Sequence, residues 1–457
     1  MHGNAVPAGG ATTGPAVIVP ATRLRGTFDV PGDKSISHRA LMFALLARGE
    51  SQITGAGDGA DVRSTAGIAA ALGATVERAD ERGGTVRYRV VSSGIDALRA
   101  SDAVLDCGNS GTSLRLFAGI LAGSPVTVTL DGDASLRQRP VARIIEPLRA
   151  MGATLAARDQ DSLPPVIVTG HAPLRPIDWT TPVPSAQVKS AILLAGLRAD
   201  GTTTVRERVA TRDHTERMLR ARGINVRSRS DGGAGAIIEI DGGTAVQAID
   251  ERVPGDPSAA AFWLVAGAIH PDAELTIRGV GVNPTRRAVI DLLARMGARI
   301  EESPAGGGAG TRGDVGEPVA NLTVRSSELT AIDASPEDVA AAIDEVPILC
   351  LAATQARGRS RFRGAGELRH KESDRLAGIA TGLRALGAEV TVDGDDLVID
   401  GPTPLSGAPT ESLDDHRLAM TFAVAGLIAS GRTTIDRPGS ASISYPAFFH
   451  DLERIRA

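Results

Sequence analysis

Six times along the chain, a polar or glycine-rich turn runs into an alanine-rich helix that has no polar face. The segments are 34–48, 109–122, 185–197, 256–269, 344–354 and 416–428. A helix apolar on every side must be buried on every side, so each needs its own surrounding layer. The spacing is roughly 70 to 90 residues, longer than solenoid repeats allow, which makes each module a small βα unit. Between these helices a second helix-like segment ends five times in a small-residue turn leading into a strand, at Gly73, Gly152, Gly223, Gly297 and Gly387. Each glycine stands where a helix C-terminus takes a left-handed residue. Charged residues on these second helices (Arg286, Arg287, Asp291 and Arg295 in the fourth) mark them as half exposed.

Six modules of strands and paired helices, one helix inside and one outside, predict an α/β (α+β) chain of two domains with three modules each. Pro-Gly-Asp occurs at 31–33 and again at 254–256, where the chain would cross between domains. Residues 16–32 and 255–457 then form one discontinuous domain and 33–254 the other, with hinges near 31–33 and 253–256. Residues 1–15, rich in Ala, Gly and Pro, read as a disordered tail.

With 49 basic residues against 54 acidic ones, the net charge of −5 excludes a general nucleic-acid binder, so any basic site must be local. Two cysteines, Cys107 and Cys350, supply neither a disulfide framework nor a four-ligand zinc site. The expectation is a reduced, cytoplasmic protein. No apolar run reaches the roughly 18 residues of a membrane span, and the N-terminus lacks a signal-peptide pattern.

Chemistry gathers at the starts of the inner helices. In PGDKSISHRA, Ser35 or Ser37 is the expected N-cap and Gly49 the C-terminal stop, which puts Lys34, Ser35 and Arg39 where helix N–H groups favour an anion. A P-loop is excluded because Asp33 separates Gly32 from Lys34. A capped core helix with a solvated Lys would show the same letters. Asp106 to Arg115 reads as a strand end, a glycine turn and a helix start, and Arg137 and Arg139 lie on a loop. Ser185 and Lys189 are one turn apart. His214 and Glu216 make a poor metal pair, since i and i+2 do not share a helix face. Asp344 and Glu345 precede a buried segment. In 369–376 charge is dense, and Lys371 and Arg375, four apart, can face one pocket, although a solvated charged face also reads this way. Together Lys34, Arg39, Arg139, Lys189, Arg212, Lys371, Arg375 and Arg417 offer cations, with Asp344 and Glu372 the foremost acids. An acidic protein that collects cations in this way fits a polyanionic small molecule, with the carboxylates left for proton transfer.

The motifs PGDKSISHRA, GNSGTSLR, SAQVKSAILLAG, TRDHTE, NPTR, IDEVPIL, KESDRL and DDHRLAM follow one order from about Pro31 to Pro446. This set resembles the 3-phosphoshikimate 1-carboxyvinyltransferase (EPSP synthase) family, with GDKS, SAQVK, RDHTE and NPTR similar to its class II branch. The resemblance implies two domains of three βαβαββ units that close on substrate like a clamp. It implies transfer of an enolpyruvyl group from phosphoenolpyruvate to the 5-hydroxyl of shikimate 3-phosphate, with no metal and no organic cofactor. Its partners would be these small molecules, with no nucleic acid and no membrane, and the chain a monomer.

By motif, Lys34, Ser35, Arg39, Ser185, Ala186, Gln187, Arg212, Asp344 and Lys371 would hold shikimate 3-phosphate. Lys34, Gly111, Arg139, Gln187, Arg375 and Arg417 would hold phosphoenolpyruvate. Asp344, Lys371, Glu372 and Lys34 would be catalytic: Asp344 would accept the hydroxyl proton, Lys371 would assist there and Glu372 would handle the methylene proton. A Lys that other members carry near the C-terminus is missing from Ile443-Ser444-Tyr445-Pro446. Gly111 carries no methyl group, which in tolerant class II members intrudes on glyphosate. The rivals are UDP-N-acetylglucosamine enolpyruvyl transferase, whose loop cysteine the 133–140 segment lacks, and a non-catalytic anion-binding protein of the same fold.

Overall fold

The computed structural model describes residues 14–81, 84–99, 104–305 and 316–456. Most of the expected tail lies outside the described residues. The chain divides into a terminal unit (residues 14–31, 254–305 and 318–456) and a middle unit (residues 32–253, with Gly316 and Glu317).

The middle unit contains three four-stranded sheets, each built to one plan. In the second, Leu105–Asp106 runs parallel to Thr127–Asp131, which pairs antiparallel with Leu163–Thr169, which pairs antiparallel with Thr154–Ala157. Its inner helix is Gly111–Ala122 and its outer helix Ala142–Ala150. The first module uses the inner helix Lys34–Leu46 and outer helix Ala60–Ala71, the third Ala186–Gly196 and His214–Ala221. The terminal unit repeats the plan with inner helices Pro257–Ile269, Val346–Thr354 and His416–Gly426. Its outer helices are Ala288–Arg295, Arg375–Ala385 and Phe448–Arg454. Among the described residues its third sheet has three strands, Ala16–Ile18, Thr433–Ile435 and Pro409–Thr410.

Each inner helix is enclosed because its sequence offers no face to water. In Pro257–Ile269 every residue but the last is buried. A fully buried Leu, Val or Phe contributes roughly 1.5–3 kcal/mol relative to exposure, so these helices anchor each unit. The five glycines after the outer segments all take positive φ, between 80° at Gly223 and 111° at Gly73, as the cap geometry requires.

Three local expectations change. The first helix is capped by Asp33, whose carboxylate accepts from Ile36 N at 2.9 Å, not by Ser35 or Ser37. Gly49 is no stop; it lies in the strand Arg48–Ala56 that follows at once. Arg286 is not on an exposed helix face but buried ahead of that helix. A strand exchange also appears that no local signal marks. Leu24–Asp29, which precedes the first inner helix, pairs parallel with Ala273–Gly281 in the terminal unit, while Glu251–Arg252 takes the matching place beside Arg48–Ala56. Among the described residues no helix is long and apolar enough to cross a membrane.

Candidate active site

In the middle unit the anion-binding candidates stand at three helix starts. Asp33 caps the first helix and so places Lys34 in its first turn, where Nζ pairs with Asp61 Oδ2 at 3.1 Å. Arg39, one turn on, is buried. Its Nε donates to Thr215 Oγ1 at 2.7 Å, Nη2 to Ser190 Oγ at 2.8 Å and Nη1 to the Ser35 carbonyl at 3.0 Å. Burial first of all, opposed by Glu216 and reinforced by Arg212, brings Arg39 down to about 10, so it stays charged at neutral pH. Arg212 itself is half-buried.

Ser110 caps the second inner helix, leaving Gly111 as its first residue. A short 3-10 turn, Leu136–Gln138, delivers Arg139, which donates through Nη2 to Asn109 Oδ1 at 2.6 Å while its Nε is buried without a hydrogen bond. Ser185 caps the third inner helix, followed by Ala186 and Gln187. The structure withdraws Lys189 from the set of offered cations. It is fully buried, its Nζ 2.9 Å from both Glu207 Oε2 and Glu216 Oε1. Burial alone would lower this ammonium, but the two carboxylates raise it. His214 and Glu216 diverge as expected, His214 Nδ1 lying 2.7 Å from Glu317 Oε1. No group of residues suited to a metal occurs among the described residues.

In the terminal unit the charges converge on four carboxylates, Asp344, Glu345, Glu372 and Asp415. Lys371 follows a 3-10 turn and Arg375 begins the helix capped by Asp374, so the two do not share a helix face. Both nevertheless reach Asp344, whose Oδ1 lies 3.6 Å from Lys371 Nζ and 3.6 Å from Arg375 Nη1. Arg375 is buried, gripped by Asp415 Oδ2 at 2.7 Å and Glu372 Oε2 at 2.5 Å, while its Nη1 makes no hydrogen bond. Desolvation would lower this guanidinium, but the three carboxylates hold it above its ordinary value. Asp415, which also caps the helix carrying Arg417, is desolvated, yet Arg375 keeps it below the usual carboxylate range.

The neighbouring Glu345 is buried. Its Oε1 accepts from Ser258 and from Arg286 Nη1 at 3.1 Å, and lies 3.6 Å from Arg417 Nη1. Sequence reasoning assigned no role to Asp61, Arg286 or Asp415. Only the position of Arg286 inside NPTR could have flagged it. Cys107 and Cys350 are buried, and burial pushes both thiols up, so neither is a ready nucleophile.

The family model of EPSP synthase (3-phosphoshikimate 1-carboxyvinyltransferase) matches residues 18–452. The chain is 51% identical to a 3-phosphoshikimate 1-carboxyvinyltransferase of Gloeobacter violaceus, covering 96% of this chain and 98% of that one. It is 48% identical to one of Roseiflexus castenholzii, over 95% and 98%. A solved structure of EPSP synthase from Acinetobacter baumannii superposes with a TM-score of 0.83 at 39% identity, covering 97% of this chain and 98% of the other.

Proposed function

The chain belongs to the EPSP synthase family, and from that premise we propose how its residues divide the reaction. It transfers the enolpyruvyl group of phosphoenolpyruvate to the 5-hydroxyl of shikimate 3-phosphate and releases phosphate, a step of the shikimate pathway toward aromatic amino acids. The two substrates bring two phosphates and two carboxylates, which explains why cations outnumber acids among the candidates. In our reading Lys34, Ser35, Arg39, Ser185, Ala186, Gln187 and Arg212 hold shikimate 3-phosphate, with Asp344 and Lys371 at its reacting hydroxyl. Lys34, Gly111, Arg139, Gln187, Arg375 and Arg417 hold phosphoenolpyruvate.

The proton bookkeeping then closes. Asp344 takes the hydroxyl proton as the oxygen bonds to C2 of phosphoenolpyruvate, while Glu372 gives a proton to C3. In the second half the C2–O bond to phosphate breaks, Glu372 takes a proton back from the new methyl group, and the proton on Asp344 leaves with phosphate. Both carboxylates end as they began. Cationic character at C2 is stabilised by these carboxylates, and Lys34 and Lys371 offset the phosphate and alkoxide charge.

The observation that carries this division is the convergence on Asp344: a carboxylate with Lys371 and an unbonded Arg375 N–H beside it, ready for a ligand oxygen. The test is phosphate release from phosphoenolpyruvate with either acceptor, for the wild type and Asp344→Asn. Release should need shikimate 3-phosphate and fall about 10²-fold or more in the variant. Release with UDP-N-acetylglucosamine instead would overturn the assignment. We further propose a cytoplasmic monomer, which light scattering should report as a single species near 47.0 kDa.

A further inference from the structure

Arg115 lies in the motif that starts the second inner helix, yet the division above gives it no part. Its guanidinium joins three separate segments of the middle unit. Nη1 donates to Gln187 Oε1 at 2.8 Å, Nη2 donates to the Pro140 carbonyl at 3.1 Å, and Nη1 also lies 3.5 Å from the Gly111 carbonyl. Gln187 is fixed at its other end, Nε2 donating to Thr112 Oγ1 at 3.0 Å. An amide with its oxygen on a guanidinium and its nitrogen on a hydroxyl has one orientation, and one N–H remains for a ligand. A Cβ added at Gly111 would stand 2.5 Å from Arg115 Nη1 and 3.7 Å from Arg139 Nη1. The space a side chain at 111 would need is therefore the space that the Arg115 guanidinium fills.

We propose that Arg115 is a positioning residue for phosphoenolpyruvate: it sets the polarity of the Gln187 amide, seats the Arg139 segment through the Pro140 carbonyl, and is the first group displaced by any side chain at position 111. This rests on the assignment of Gln187 and Arg139 to phosphoenolpyruvate made above. A methyl group at 111 drives the guanidinium off Gln187 and lets the amide turn, so affinity falls even where the methyl does not touch the substrate. Lysine cannot take over the task, because a single ammonium lacks the planar fork that bridges Gln187 and Pro140.

Steady-state kinetics on the wild type, Arg115→Lys, Gly111→Ala and the double variant test this. Arg115→Lys should raise KM for phosphoenolpyruvate about tenfold, the scale of one charge-assisted hydrogen bond. Its kcat and its KM for shikimate 3-phosphate should stay within about threefold, and its melting temperature should not move. Gly111→Ala should raise KM for phosphoenolpyruvate in the wild-type background and much less in the Arg115→Lys background, because the group it acts on has gone. An unchanged KM in Arg115→Lys, or an equal Gly111→Ala penalty in both backgrounds, overturns the proposal. So does a loss spread over kcat and both KM values with a lowered melting temperature, which marks a structural role alone. If Arg115→Lys does not fold, Arg115→Gln, which retains a donor, must show the same KM split. A wild type inactive with both substrates present would instead overturn the functional reading beneath it.

Discussion

The two units hold their cations in opposite ways. In the middle unit the holders are mostly neutral: Thr215, Ser190 and a carbonyl for Arg39, Asn109 and Ser135 for Arg139. Lys34 instead sits on a carboxylate, Asp61. In the terminal unit the holders are carboxylates: Asp344 for Lys371, Asp344, Glu372 and Asp415 for Arg375, Glu345 for Arg417. A guanidinium such as Arg39 gives its own hydrogen bonds to neutral groups, so Glu216, Asp33 and Glu317 act on its charge only from a distance. One fixed by carboxylates is nearly neutral as a pair, and its value lies in orienting groups that move protons. In the proposed division the first arrangement serves binding, and the second joins binding through Arg375 and Arg417 to proton transfer. Lys189, flanked by two buried glutamates, is itself fully buried and lies outside the set of proposed ligands.

The largest effect that separates the two designs is on turnover. Glu372→Gln keeps the shape of the group beside Arg375 but cannot exchange a proton at carbon. Its kcat should fall by about 10² or more while both KM values change little. Near-normal turnover would show that Glu372 only holds Arg375 in place, and the contrast between the units would dissolve.

Legibility in the sequence follows the range of the interactions. The inner helices are visible because burial on all sides is written into every residue of a segment such as 257–269, and no partner need be known. The five glycine stops are visible for the same reason: cap geometry is local. The first N-cap was misplaced because Asp33, Ser35 and Ser37 all suit the position, and only the backbone chooses. What stayed hidden depends on contacts distant in sequence. Lys189 reads as an offered cation until Glu207, 18 residues away, closes over it. Arg286 reads as a surface charge until Glu345, 59 residues on, buries it. The strand exchange pairs residues 249 apart at Asp29 and Arg278, and nothing nearby announces it.

A smaller effect is expected in binding. Arg39→Gln removes a charge whose neighbours Thr215 and Ser190 cannot replace it. A hydrogen bond to a charged group contributes about 1.5–3 kcal/mol, so KM for shikimate 3-phosphate should rise about 10- to 100-fold with kcat nearly kept. A loss confined to kcat would place Arg39 with the chemistry instead, and the neutral-holder rule would fail at its clearest example.

The smallest effect concerns acid. In the middle unit His38 is buried, its Nδ1 2.6 Å from Thr65 Oγ1, and burial first, then Lys34 and Arg39, hold its imidazole well below the ordinary 6.5. The unfolded chain takes up a proton below about pH 6.5 that the folded chain refuses. A histidine with a depressed folded pKa therefore contributes nothing adverse above that pH and costs stability as the pH falls beneath it, by about 1.4 kcal/mol per unit. In the terminal unit the buried carboxylate of Asp415 is held below 3.8 by Arg375, so its contribution is present above that value and is lost only as the pH falls through it. Between about pH 6.5 and 4.5 the middle unit should thus soften while the terminal unit holds. Amide exchange, corrected for its intrinsic pH dependence, should show Lys34–Leu46 opening more easily across that range and Val346–Thr354, which carries no histidine, unchanged. His38→Asn should flatten the first trend whatever its effect at neutral pH, since the slope reports only the proton. Equal softening of both helices would mean that a shared carboxylate titration, and not the charge environment of each unit, sets the acid limit.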